Sequence, residues 1–261
     1  MTNIHPTAII EDGAKIGENV TIGAYSYIGK NVTIGDGSIV DTHTLIEGYT
    51  TIGKNNHIFS HATVGSIPQD LKYNGEKSEL IIGDNNKIRE YTLINPGTEG
   101  GGMITKVGSN NLLMGYVHLG HDVIMGDNCI LANGATLAGH VELGNYVVVG
   151  GLTPIHQFVH IGDFAMIAGA SALSQDVPPY CLAQGNHAML RGLNLTGLRR
   201  HVDRVEIDNL KIAYRELFEQ GNPLQDTAKK LALSSESNSV KNLANFIINS
   251  KRGIPFEREQ K

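Results

Sequence analysis

Ile or Val recurs at every sixth position from the start of the chain, at Ile4, Ile10, Ile16, Ile22, Ile28, Ile34, Val40, Ile46, Ile52, Ile58 and Val64. The pattern lapses and returns in the same phase at Ile82, Ile88 and Ile94. It lapses again and resumes one residue out of phase at Val107, Leu113, Leu119, Met125, Leu131, Leu137, Leu143, Val149, Ile155, Ile161, Ile167 and Leu173. A period of six fits neither the 3.6 of an α-helix nor plain alternation at two. It fits short strands separated by corners, with one aliphatic per side pointing inward and small or polar residues taking the turn. Three such sides close one coil of eighteen residues, and coils stacked at the parallel-strand spacing of ~4.8 Å make a prism of about nine coils, roughly 40 Å tall. Each coil buries its face only because its neighbours do. The expected fold is mainly β, a parallel β-helix over residues 1–186.

The two lapses read as loops leaving the prism near 66–79 and 96–105, the second rich in glycine (Pro96-Gly97-Thr98-Glu99-Gly100-Gly101-Gly102). Loops that break a strict repeat serve function or assembly more often than not. After Pro178-Pro179 the spacing turns helical. Ile207, Leu210, Tyr214, Leu217 and Phe218 form one stripe, with Asp203 before it and Gly221-Asn222-Pro223 after it. Leu224, Ala228 and Leu231 form a second stripe; Val240, Leu243, Ala244 and Ile247 form a third. Residues 187–261 are therefore expected to be a C-terminal helical domain of three or four helices, on the end or the flank of the prism.

Composition narrows the function. Gly is frequent at 31 of 261 residues and aromatics are only 6 %, as befits repeated tight corners. No run is long and apolar enough to span a membrane, and the N-terminus has neither a basic nor an apolar leader region. Cys129 and Cys181 show no metal spacing. These features predict a soluble cytoplasmic protein. The net charge of −5 divides into −9 over residues 1–186 and +4 over residues 187–261. An acidic body with a basic tail argues against nucleic-acid binding and leaves room for a local docking site for an acidic partner. A basic helical surface that is merely solvated accounts for the same numbers.

Residues eighteen apart should lie above one another, so Leu119, Leu137 and Ile155 form one column. His118, His121, His140 and His156 cluster around it, four of the eleven histidines on three consecutive turns of one side. General acid–base catalysis near neutral pH suits such an edge. Metal ligation needs convergent ring nitrogens, which the differing offsets of these histidines do not favour. Histidines hydrogen-bonded at corners for structure alone are the third reading.

Longer segments are more specific than the hexads. Gln69-Asp70-Leu71-Lys72-Tyr73, Gly108-Ser109-Asn110-Asn111-Leu112-Leu113-Met114, His118-Leu119-Gly120-His121-Asp122, Ala135-Thr136-Leu137-Ala138-Gly139-His140-Val141, Ile155-His156-Gln157-Phe158 and Ala183-Gln184-Gly185-Asn186-His187 resemble the bacterial UDP-N-acetylglucosamine acyltransferases that begin lipid A synthesis. The likeness runs over nearly the whole chain. It implies a left-handed β-helix and a homotrimer with active sites in the clefts between subunits. It also implies transfer of a 3-hydroxyacyl group from acyl carrier protein to the 3-hydroxyl of the sugar nucleotide. No cofactor and no metal are implied, since the acyl donor is carried on the phosphopantetheine of the carrier.

By the same resemblance His121 is the general base, and the Gly139 N–H faces the oxyanion. Asp122 tunes His121, although strand alternation would send neighbours to opposite faces and leave Asp122 in solvent. Asp70 and Lys72 contact acyl chain and sugar. His118, His140, His156, Gln157 and His187 line the nucleotide and pantetheine groove. Gly169 gauges the acyl chain, and Asn194, Arg199 and Arg200 meet the nucleotide. Three departures concern substrate contact: Thr196 where an acid is common, His201 where a base is common, and Asn95-Pro96 where many relatives have His-Arg. The last raises a 3-amino sugar as an alternative acceptor, with a structural role for Asn95 as the competing reading. A coenzyme A-dependent acetyltransferase would share the hexads and the histidine, without the Asp70–Tyr73 loop or the long helical tail.

Overall fold

The computed structural model describes residues 1–257. The hexads form a parallel β-helix with three faces. One face holds eleven strands, running from Asn3–Ile4 to Met189–Leu193. The second holds eight strands, Ile9–Ile10 to Pro154–Ile155, and the third eight, Lys15–Ile16 to His160–Ile161. Most strands are two residues long, with the inward aliphatic second, so Ile22, Ile28, Ile46, Ile58, Leu113, Leu119 and Leu137 are at most 1 % exposed. The first coil has no coil beneath it, and its inward Ile4 stays 41 % exposed.

The register explains the phase of the repeat. Ile4 pairs with Ile22 and Leu119 with Leu137, eighteen residues on. Val64 pairs with Ile94, thirty residues on, and Ile94 with Leu119, twenty-five on. The first loop therefore adds twelve residues, two whole hexads, and keeps the phase. The second adds seven, one hexad and one residue more, and shifts it.

Each coil turns three corners, and many corner residues take the left-handed conformation that Asn, Asp and His tolerate better than most. One corner runs through Tyr25, His43, His61, Tyr91, Tyr116, Gly134, Leu152 and Ala170. A second carries Asp122, His140 and Phe158, and a third carries Asn110, Asn128, Tyr146 and Phe164. Buried asparagines satisfy the backbone inside the third corner: Asn56 Oδ1 accepts from Asn86 N–H at 2.9 Å, and Asn86 Oδ1 accepts from Asn111 N–H at 2.9 Å.

The prism runs past the expected boundary at residue 186. Strand Cys181–Gln184 adds in parallel to the first face, and Met189–Leu193 turns back antiparallel to it. The sheet therefore ends at Leu193, because the Gly185-Asn186-His187 turn is a hairpin, not a linker. Four helices follow: α1 (Leu195–Leu198), α2 (Arg204–Phe218), α3 (Leu224–Ser234) and α4 (Asn238–Asn249). The stripe residues Ile207, Leu210, Tyr214, Leu217, Val240, Leu243, Ala244 and Ile247 are buried. The helices pack on the end of the prism and reach along its flank, where Asn242 and Phe246 line a pocket with Ile124, Glu142 and His160. Asp176 Oδ2 accepts from Ser250 Oγ at 2.7 Å, and Tyr180 Oη pairs with Asn242 Nδ2 at 3.1 Å. No helix among the described residues is long and apolar enough to cross a membrane.

Candidate active site

The second corner gathers the chemistry. Residues 120–122 turn between strands, and Asp122 has φ of 60°. This brings the Asp122 carboxylate round to the imidazole beside it, instead of the opposite face that strand alternation predicts. Asp122 Oδ2 lies 2.8 Å from His121 Nδ1, and the Asp122 side chain is only 1 % exposed. The solvent-facing reading of Asp122 is thereby excluded. A carboxylate at Nδ1 makes that nitrogen the donor and leaves Nε2 free of its proton, the tautomer a general base needs.

Around Nε2 the walls come from two other segments, the first loop and the next coil. Asp70, on the first loop, places Oδ2 4.0 Å away. Lys72 is exposed on the same loop, its N–H bonded to Asp70 Oδ1 at 3.0 Å. Gly139 packs against the ring from the next coil so closely that an added Cβ would sit 2.5 Å from His121 Nε2. A side chain there would have to push the His121 ring aside, and the Gly139 N–H donates to no backbone carbonyl among the described residues.

His140 meets the His121 ring edge-on, with centroids 4.9 Å apart at 89°, and stacks on Phe158 at 4.3 Å. Burial lowers the His140 pKa against the opposing pull of Asp122. Burial likewise lowers that of His118, whose Nδ1 is buried without a hydrogen-bond partner. His118 lies one residue before Leu119, on the face between the second corner and the first. His156, Gln157 and His187 are exposed.

His121, Asp122 and His140 place ligand atoms within 4.8 Å of one another, a closer convergence than their sequence offsets promised. Both Asp122 oxygens already accept hydrogen bonds, Oδ1 from the Thr98 N–H and Oδ2 from the Thr98 hydroxyl. The donor set fits an oriented base better than a metal cage.

Across the face from the second corner lies an apolar cavity of about 580 Å³, lined by Tyr116, Asn133, Gly134, Gly151, Leu152, Gly169 and Ala170. A Cβ on Gly169 would make only ordinary contact, 3.4 Å from the Gly151 carbonyl oxygen, so a larger side chain there would fill the cavity.

Other expected residues stand apart. Asn194 caps α1: its Oδ1 accepts from Gly197 N–H at 3.1 Å and its Nδ2 donates to the Phe164 carbonyl at 2.9 Å. Each end of the amide thus holds one partner within the chain. Arg199 and Arg200 are exposed at the end of α1, beside the third corner, where the His201 ring lies 4.8 Å from Tyr146. Among the described residues no contact brings them to His121. Asn95 is 1 % exposed and donates to the carbonyls of Ser66 and Ile67, at 2.9 and 3.1 Å, so it braces the base of the first loop. Sequence reasoning missed Thr98 and Phe158; their signal was position, one in the glycine-rich loop and one eighteen residues beyond His140.

The C-terminal region, residues 176–255, matches the family model described as UDP-N-acetylglucosamine O-acyltransferase, domain 2. Residues 1–30, 13–48 and 104–139 match the bacterial transferase hexapeptide repeat. A curated protein of Sulfurovum sp. named an acyl-(acyl-carrier-protein)–UDP-N-acetylglucosamine O-acyltransferase is 71 % identical over 99 % of this chain and 100 % of its own. The chain belongs to this acyltransferase family. A relative of the same name from Aliarcobacter butzleri is 70 % identical, with 99 % and 100 % covered. The solved UDP-N-acetylglucosamine acyltransferase of Campylobacter jejuni superposes with a TM-score of 0.95 at 51 % identity, covering 98 % of this chain and 100 % of that one. For an acyltransferase of this family, the oriented His121 and the apolar cavity are the features to explain.

Proposed function

We propose that the protein transfers a (3R)-3-hydroxyacyl group from acyl carrier protein to the 3-hydroxyl of UDP-N-acetylglucosamine, the first step of lipid A synthesis, and works without cofactor or metal as a cytoplasmic homotrimer. The observation that carries the chemistry is the 2.8 Å contact from His121 Nδ1 to the buried Asp122. It supports a base whose Nε2 faces the space between Asp70 and Gly139. His121 Nε2 takes the proton of the sugar hydroxyl as its oxygen forms a bond to the thioester carbonyl carbon. The resulting oxyanion lies toward the Gly139 N–H, a preorganised donor. Collapse breaks the carbon–sulfur bond, and the imidazolium returns its proton to the phosphopantetheine thiolate. Asp70 and Lys72 hold the substrate at the loop, and His118, His140, His156, Gln157 and His187 line its approach.

The homotrimer accounts for two observations. Arg199 and Arg200 lie beside a different corner from His121, so a neighbouring subunit is the natural means of joining them. The first corner also presents a row of exposed rings: Tyr25, His43, His61, Tyr91 and Tyr116 follow one another at centroid distances of 4.9–5.1 Å.

Incubation with (3R)-3-hydroxyacyl carrier protein and an equal mixture of UDP-N-acetylglucosamine and its 3-amino analogue tests the reading. Mass spectrometry is expected to show the hydroxylamine-labile ester as the main product, with exhaustive chelation changing nothing. A predominant amide, or turnover with the coenzyme A thioester alone, would overturn it.

A further inference from the structure

Asp122 is gripped by a segment to which the reaction gives no part. Thr98 is 4 % exposed on the glycine-rich loop. Its N–H donates to Asp122 Oδ1 at 2.9 Å, and its hydroxyl donates to Oδ2 at 2.6 Å, the same oxygen that faces His121 Nδ1. From the other side Gly101 rests on the carboxyl group, where a Cβ would overlap Asp122. The loop is itself fixed. Thr98 O accepts from Gly101 N–H at 3.0 Å and from Met103 N–H at 2.9 Å, and the Glu99 N–H donates to Glu76 Oε1 at 3.1 Å. Glu76 Oε2 also accepts from Asn74 N–H at 2.8 Å, so one carboxylate clasps the second loop to the first.

A carboxylate bonded only to one imidazole is free to rotate about its Cβ–Cγ bond. Donors to both oxygens remove that freedom, and a short bond from hydroxyl to carboxylate is among the stronger ones. We propose that Thr98 is a positioning residue, whose hydroxyl fixes the plane of the Asp122 carboxylate so that Oδ2 holds the His121 Nδ1 proton and Nε2 is presented to the acceptor. The rate consequence rests on the acyl-transfer reading; the geometric one does not. Glycine at 101 belongs to the same device, since any side chain there would push the carboxylate off its plane.

Wild type, Thr98→Val, Thr98→Ser and Gly101→Ala are compared by steady-state kinetics and, without substrate, by the low-field proton resonance of the His121 Nδ1–H. Valine keeps the shape and the backbone donor and removes only the hydroxyl. Thr98→Val is expected to lower kcat about tenfold to a hundredfold, as loss of a partner that orients a ligating histidine does. KM for the UDP-sugar should change by less than about twofold, since Thr98 is buried and its hydroxyl is spent on Asp122. The resonance should be lost or moved. Thr98→Ser should restore both rate and resonance, and Gly101→Ala should disturb both with Thr98 intact. The proposal is overturned if Thr98→Val, or Gly101→Ala should the valine variant not fold, leaves rate and resonance unchanged, or if KM rises in proportion to the lost kcat/KM. Were wild type to transfer no acyl group to the UDP-sugar, the acyl-transfer reading would fail. The resonance would still decide the positioning claim on its own.

Discussion

At a corner of the prism the backbone, not strand alternation, decides what a side chain meets. Asp122, His140 and Phe158 have φ of 60°, 62° and 63° on successive coils, a conformation costing roughly 1–2 kcal/mol for a residue with a Cβ. Their coils are held above and below, so this cost is absorbed by the ladder. The inward aliphatics and the histidine edge were legible in the sequence because a strict period of six admits few alternatives. The contact between His121 and Asp122 was not, since the alternation rule applies to strands and these two residues lie at a turn. The capping by Asn194 was hidden for a similar reason: a four-residue helix leaves no periodic trace, so nothing marked it as a cap.

Two predictions belong to single residues. Burial lowers the pKa of His118 and His140, so the unfolded chain binds protons near pH 6.5 that the native one refuses. Stability contributed by these neutral rings is therefore present above about pH 6.5 and is lost as pH falls below it. Urea unfolding at pH 7.5 and pH 5.5 should show His118→Gln losing less stability on acidification than wild type; an equal loss would remove the burial argument. At the end of the apolar cavity, Gly169→Met should shift preference toward shorter acyl groups, because its side chain would occupy the cavity Gly169 leaves open. An unchanged chain-length profile would move the end of the groove to another residue.

Among the elements, the loops show how insertion lengths preserve a repeat. Twelve extra residues leave the hexad phase intact, whereas seven shift it, and both strands resume in register with the coil below. The shift was visible in the sequence; the clasp between the loops at Glu76 was not, because it joins positions related by no period. Helices α2, α3 and α4 follow the stripes that foretold them, with Ser237 capping α4 by accepting from Val240 N–H at 3.2 Å. The basic residues near α1 and the start of α2 carry the third prediction. Arg199, Arg200 and Arg204 are exposed, and an acidic carrier docking there should bind less tightly as salt screens it. Reversing the three to Glu should weaken apparent carrier affinity at least about tenfold at low salt and flatten its salt dependence. Affinity indifferent to both changes would place the docking surface elsewhere.

For the whole molecule, the prism supplies rigidity and a fixed spacing, and the three corners divide the work. The second corner holds the base, the first borders the apolar cavity, and the third carries α1 with its arginines. One chain sets the base and the arginines beside different corners, so the proposed site is expected to draw them from two subunits. Mixed oligomers of His121→Ala and Arg199→Glu/Arg200→Glu chains test this most directly, with transfer from (3R)-3-hydroxyacyl carrier protein to UDP-N-acetylglucosamine as the readout. His121→Ala alone should lose about 10²–10⁴-fold in turnover while keeping its fold, the usual cost of a missing general base. The double-arginine variant alone should fail to bind substrate, and refolding the two together should restore a substantial fraction of wild-type activity through clefts that pair an intact His121 with intact arginines. Near wild-type turnover by His121→Ala, or mixtures that stay as inactive as their parents, would contradict the account.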